Sequence, residues 1–90
     1  MTWVSFQIQI DYQDCEEIVP GRFTAWVRGE VEGVAHDHGR WGTYSLSNEV
    51  GANGEGSSPD MAMQQAMNNF QFKVQEAKCR IEQSLMNSLG

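Results

Sequence analysis

Basic residues are scarce in this chain. Six Lys and Arg face twelve Asp and Glu, for a formal net charge of −6. A nucleic-acid binder needs a basic footprint to displace counterions, so direct binding to nucleic acid is not expected. Cysteine is scarce too. Cys15 and Cys79 are the only two, too few for a disulfide scaffold, and they read as reduced thiols of a cytosolic protein. No apolar run approaches the roughly 20 residues of a membrane span. The opening "MTWVSFQIQI" has neither a basic region nor a long apolar block, so it is not expected to act as a secretory signal. Only two prolines occur among the 90 residues, a length that suits one domain with a modest core.

The charge that is present is uneven. Residues 58–90 hold Asp60, Glu76 and Glu82 against Lys73, Lys78 and Arg80 and are neutral. The whole net charge therefore lies in residues 1–57, where only Arg22, Arg28 and Arg40 oppose the acids. Such an asymmetry favours solubility or an acidic surface steered to a basic partner.

The hydrophobic pattern predicts an α+β fold: an antiparallel meander of three to four strands with one long C-terminal helix packed on one face. In "TWVSFQIQI", Val4, Phe6, Ile8 and Ile10 alternate with Ser5, Gln7 and Gln9. "DYQDCEEIVPG" reads as a polar connection ending in the turn dipeptide Pro20-Gly21. "RFTAWVRGEVEGVA" sets Phe23, Ala25, Val27 and Val31 on one side and Thr24, Trp26, Arg28, Glu30 and Glu32 on the other. "RWGTYSLS" resumes after the turn "HDHG". The expected register sets Ile10 opposite Phe23, Phe6 opposite Val27, and Ala35 opposite Arg40. Gly29, Gly33 and Gly42 then fall on the apolar face, where they would admit a helix closely or mark bulges. Breaking the second run at Gly29-Glu30 into four shorter strands is the alternative.

Residues 1–47 thus form the sheet, 48–57 ("NEVGANGEGS") a glycine-rich linker, and 58–89 the helix. Ser58 is a good N-cap, Pro59 suits the first helical position, and Asp60 favours the positive end of the helix dipole. The expected apolar stripe is Met63, Met67, Phe70, Val74, Ala77, Ile81 and Leu85, with Met67, Phe70, Val74 and Ile81 against Phe6, Ile8, Val27 and Tyr44. Phe72 and Cys79 lie off the stripe. A helix about 45 Å long outreaches strands of about 27 Å, so it should overhang, bend near Asn68-Asn69, or pair with a partner helix, which would make a homodimer.

Chemistry-bearing motifs are few. His36 and His38 could share a face, but a metal site needs at least three protein ligands, and a hairpin tip is the simpler reading. No metal and no cofactor is expected. Neither Cys15, beside Glu16, nor Cys79, whose basic neighbours point elsewhere on the helix, has the setting of a reactive thiolate, so an enzyme is not expected. The acids are more informative. Asp11, Asp14, Glu16 and Glu17 load one loop. Glu30 and Glu32 share the polar sheet face with Trp26, Asp37 lies at the turn, and Trp41 joins that face. Tryptophan among carboxylates suits a contact surface, and carboxylates spaced along strands can occupy the path of nucleic-acid phosphates on a basic protein.

The order of parts resembles small phage anti-CRISPR proteins that block type I surveillance complexes. "GVAHDHGRW" followed by "SSPDMAMQQAMNNF" is similar in order to the histidine-glycine-arginine turn and helix start of one subtype I-F inhibitor family, over about residues 23–80. The resemblance implies a non-enzymatic inhibitor in the bacterial cytoplasm. It would bind a protein subunit with a basic surface and prevent target DNA from engaging. The strand-strand-strand-helix order is also similar to antitoxins with a partial RNase H fold and to modules that dimerise through a helix.

Overall fold

In the computed structural model, which describes residues 2–37 and 43–89, the chain runs β1 (Thr2–Val19), β2 (Arg22–Asp37), β3 (Thr43–Gly56) and α1 (Pro59–Leu89). The strands form one antiparallel sheet in the order β1-β2-β3, and α1 packs on one face, an α+β fold. The molecule is elongated, with principal extents of 59 × 17 × 14 Å.

The strands are far longer than the sequence pattern suggests. "DYQDCEEIV" is not a loop but the second half of the 18-residue β1, which turns tightly at Pro20-Gly21 into β2. Gly21 takes φ 81°, a conformation that suits glycine. The early turn changes the register. Phe6 pairs with Gly33, Ile8 with Val31 and Ile10 with Gly29, rather than with Val27, Ala25 and Phe23. On the other side Ala35 pairs with Tyr44, not with Arg40. Both slips preserve the parity of the pairing, so the described residues of these runs keep their expected faces. Two irregularities in β1, at Asp11 and Ile18, each insert one unpaired residue.

The glycine-rich stretch 48–56 is likewise not a linker. It completes β3, with Val50, Ala52 and Gly54 paired to Gly29, Val27 and Ala25 on the helix face. Fourteen residues of β3 span about 46 Å, and the 31 residues of α1 about 46 Å. Helix and sheet therefore match in length, which removes the mismatch on which the expected overhang, bend or partner helix was argued.

The core alternates along β2 as Ala25, Val27, Val31 and Ala35. It meets Ala62, Ala66, Phe70, Val74, Ala77, Ile81 and Leu85 of α1. The first half of the helix seam is therefore Ala62 and Ala66, with Met63 and Met67 half-buried beside it. The cause is a close approach at Gly54. A Cβ there would meet the Ala66 amide nitrogen and would lie 2.6 Å from the Ala62 carbonyl oxygen, so only small residues fit on both sides. Further along, Gly29 makes room for the Phe70 ring and Gly33 for Ile81. Ser58 caps the helix as expected, accepting from the Met61 amide at 3.2 Å.

The helix lies over β2 and β3. Consequently Phe6 is only half-buried, and Ile8 and Ile10 are 44% and 41% exposed, contrary to their expected place in the core. Lys78 holds its ammonium 5.6 Å from the centre of the Phe6 ring.

Candidate functional site: the open acidic face of the sheet

A strand buries one face and exposes the other, because successive side chains alternate. Here the helix covers one face of the sheet, and the even-numbered residues of β2 point away from it. Strand pairing sets the open face in rows across the three strands: Gln7–Glu32–Ser47, Gln9–Glu30–Glu49, Tyr12–Arg28–Gly51, Asp14–Trp26–Asn53 and Glu16–Thr24–Glu55. Six acids thus share one surface with Arg28 as the only basic residue in these rows.

At the centre, Glu30 stands directly opposite Glu49, on strands about 4.8 Å apart. Glu32 lies one repeat along β2, about 6.6 Å away. Like charges placed directly opposite destabilise a sheet, so this cluster opposes the fold that carries it. Trp26 lies two rows away, half-buried between Asp14 and Asn53, and Gly51 leaves a shallow hollow beside it. Around the rim, Tyr12 donates a hydrogen bond to Asp14 Oδ2 at 3.1 Å, and Arg22 pairs with Glu55 at 3.5 Å at the hairpin end.

The expected contact residues divide. Trp26, Glu30 and Glu32 share the open face, and the long β1 brings Asp14 and Glu16 beside them. Glu17 pairs with Phe23 on the helix side instead, and Asp11 is the unpaired residue of the first bulge. The backbone of Asp37 pairs with Thr2 at the far end of β2. Trp41, His38, Arg40 and Gly42 lie outside the described residues. Sequence reasoning missed Glu49, Asn53 and Glu55, because glycines disguised β3. The signal was present: Val50, Ala52 and Gly54 alternate with Glu49, Gly51, Asn53 and Glu55.

A second cluster was also missed. Trp3 and His36 are cross-strand partners and stack with ring centroids 3.9 Å apart, while Ser5 Oγ lies 3.0 Å from His36 Nε2. A serine within reach of a histidine suggests a nucleophile and its base. However, both residues sit within strands on a flat face, and Trp3 covers the imidazole ring. The backbone N–H groups of the ladder lie in the plane of the sheet, not above the Ser5 hydroxyl where an oxyanion would form. The arrangement acts as a clasp between the ends of β1 and β2. Among the described residues, no group of three or more His, Cys, Asp and Glu is placed to hold a metal ion. Among them, too, no helix is long and apolar enough to cross a membrane.

In comparisons with protein-family models, curated proteins and solved structures, nothing matches this chain.

Proposed function

We propose that the chain is a non-enzymatic inhibitor that acts by binding. Its open acidic face docks on a basic, nucleic-acid-binding surface of a CRISPR surveillance complex in the bacterial cytoplasm and keeps target DNA from engaging. The observation that supports this most is the concentration of Glu30, Glu32 and Glu49 on one uncovered face with Trp26 nearby. The strands hold the carboxylates at fixed spacing, so they meet a basic surface without ordering a loop. Mutual repulsion within the cluster is relieved when cations approach, so the same geometry that opposes folding favours association. The choice of a surveillance complex rests on the resemblance of residues 23–80 to anti-CRISPR proteins.

The test is binding kinetics against a purified type I-F surveillance complex at low and high ionic strength. Reversal of Glu30 and Glu32 to Lys should slow association, most at low salt. Trp26→Ala should instead speed dissociation at every salt concentration, because a desolvated anchor acts after encounter. No binding by the wild-type chain refutes the surveillance complex as partner. Binding indifferent to both changes, with folding intact, refutes the open face as the contact.

A further inference from the structure

The two edges of the sheet are treated differently. Near its end the β3 edge is engaged by the helix: Asn69 donates to the Asn53 carbonyl oxygen at 2.8 Å, and Gln65 Oε1 accepts from the Glu55 amide at 2.6 Å. The β1 edge is divided within itself. Its second half has bulges at Asp11 and Ile18, carries Asp11, Asp14, Glu16 and Glu17, and has the Cys15 amide taken up by Asp14 Oδ1 at 2.7 Å. Bulges, charges and engaged amides are the devices that keep a strand edge from pairing. The first half, residues 2–10, has none of them. It is regular, without charge, proline or glycine, and no side chain bonds to its backbone among the described residues. Beside it Ile8 and Ile10 stand exposed along an open apolar groove with Met67 and Val74 of the helix.

We infer that residues 2–10 of β1 pair antiparallel with the same residues of a second copy, joining two three-stranded sheets into one of six strands with both helices on one side. A second copy is the occupant the charge pattern selects. Twofold pairing about Phe6 sets Val4 opposite Ile8 and Phe6 opposite Phe6 on the helix side, and Ser5 opposite Gln7 and Trp3 opposite Gln9 on the open side. Polarity matches in the pairs Val4–Ile8, Phe6–Phe6 and Ser5–Gln7, Gln9 lies across Trp3, and only the outermost pair, Thr2 with Ile10, is mixed. None of the paired residues is charged, and the charge nearest the axis is Lys78, over the Phe6 ring. The same symmetry carries the two acidic halves apart. Asp11 of one copy lies about 33 Å from Asp11 of the other, well beyond a Debye length of about 8–10 Å. A parallel pairing would set each acid about 4.8 Å from its equal. This dimer stands independently of the proposed inhibitory role.

Sedimentation of the full chain from about 1 to 100 µM tests it. The expected species has twice the 10.1 kDa chain mass. Ile8→Lys, at an exposed position, should weaken the dimer at least about tenfold, since edge lysines block pairing. Gln7→Lys should do the same and keeps folding intact by facing Glu32 of its own sheet. Phe72→Ala, on the exposed side of the helix, should leave the dimer unchanged. A folded wild-type chain that stays monomeric throughout overturns the inference. So does a dimer broken by Phe72→Ala and indifferent to both lysines, which would place the interface on the helix.

Discussion

The carboxamide of Asn69 donates to the backbone carbonyl oxygen of Asn53, 2.8 Å away, and so fastens the first half of the helix to the outer edge of β3. The contact serves packing and closure together, because the carbonyl it satisfies would otherwise invite another strand. Asn69→Ala should lower stability by about 0.5–1.5 kcal/mol, as for a typical lost hydrogen bond. It should also increase self-association at high concentration. Urea unfolding and light scattering on the same samples check both effects, and an unchanged urea midpoint would show that the bond contributes nothing.

Gly54 should tolerate no side chain. A Cβ there would lie 2.6 Å from the Ala62 carbonyl oxygen and 2.8 Å from the Gln65 carbonyl carbon, both of them helix backbone. Gly54→Ala should therefore destabilise by about 1–3 kcal/mol or more. Gly51→Ala, three residues away on the open face, would meet only Arg28 Cγ at 3.6 Å and the Val27 carbonyl oxygen at 3.7 Å. It should be close to neutral. Thermal unfolding of the pair separates close approach from a general intolerance of β3 to alanine.

Glu30 and Glu49 should repel across the β2–β3 ladder. Glu49→Gln should stabilise by about 0.2–1 kcal/mol at low salt, the range of cross-strand pairs, and by less when salt screens the pair. A double-mutant cycle with Glu30→Gln measures the coupling. A coupling of zero at low salt would mean that the two carboxylates avoid each other by rotamer choice, and that the central cluster is less strained than its register implies.

The two phenylalanines of the helix should respond in opposite ways. Phe70 is 2% exposed and Phe72 is 70% exposed. Phe70→Ala should cost about 3–5 kcal/mol, whereas surface truncation at Phe72 should stay within about 0.5 kcal/mol. Equal losses from the two variants in chemical denaturation would contradict the orientation of the helix on the sheet.

Periodicity is a local property, and what depends on it was legible in the sequence. The alternation of Phe23, Ala25, Val27 and Val31 against Trp26, Glu30 and Glu32 fixed which side of β2 is buried. Ser58 and Pro59 fixed where the helix starts, and the spacing of Phe70, Val74, Ala77, Ile81 and Leu85 fixed its buried side. The acidic character of the open face followed from the same alternation. Register, strand length and the choice of small residues were decided only by tertiary structure. A polar segment such as "DYQDCEEIV" carries no apolar face to announce itself, yet it becomes strand once Pro20-Gly21 closes a tight hairpin and β2 offers its backbone groups. Likewise "NEVGANGEG" lacks strand propensity. Its glycine at 54 is what lets Ala62 and Ala66 bring the helix against the sheet, and that packing, together with pairing to β2, holds β3 in place. These are agreements between segments distant in the chain, so no single window of sequence contains them, and the row that unites Asp14, Trp26 and Asn53 exists only after all three strands are aligned.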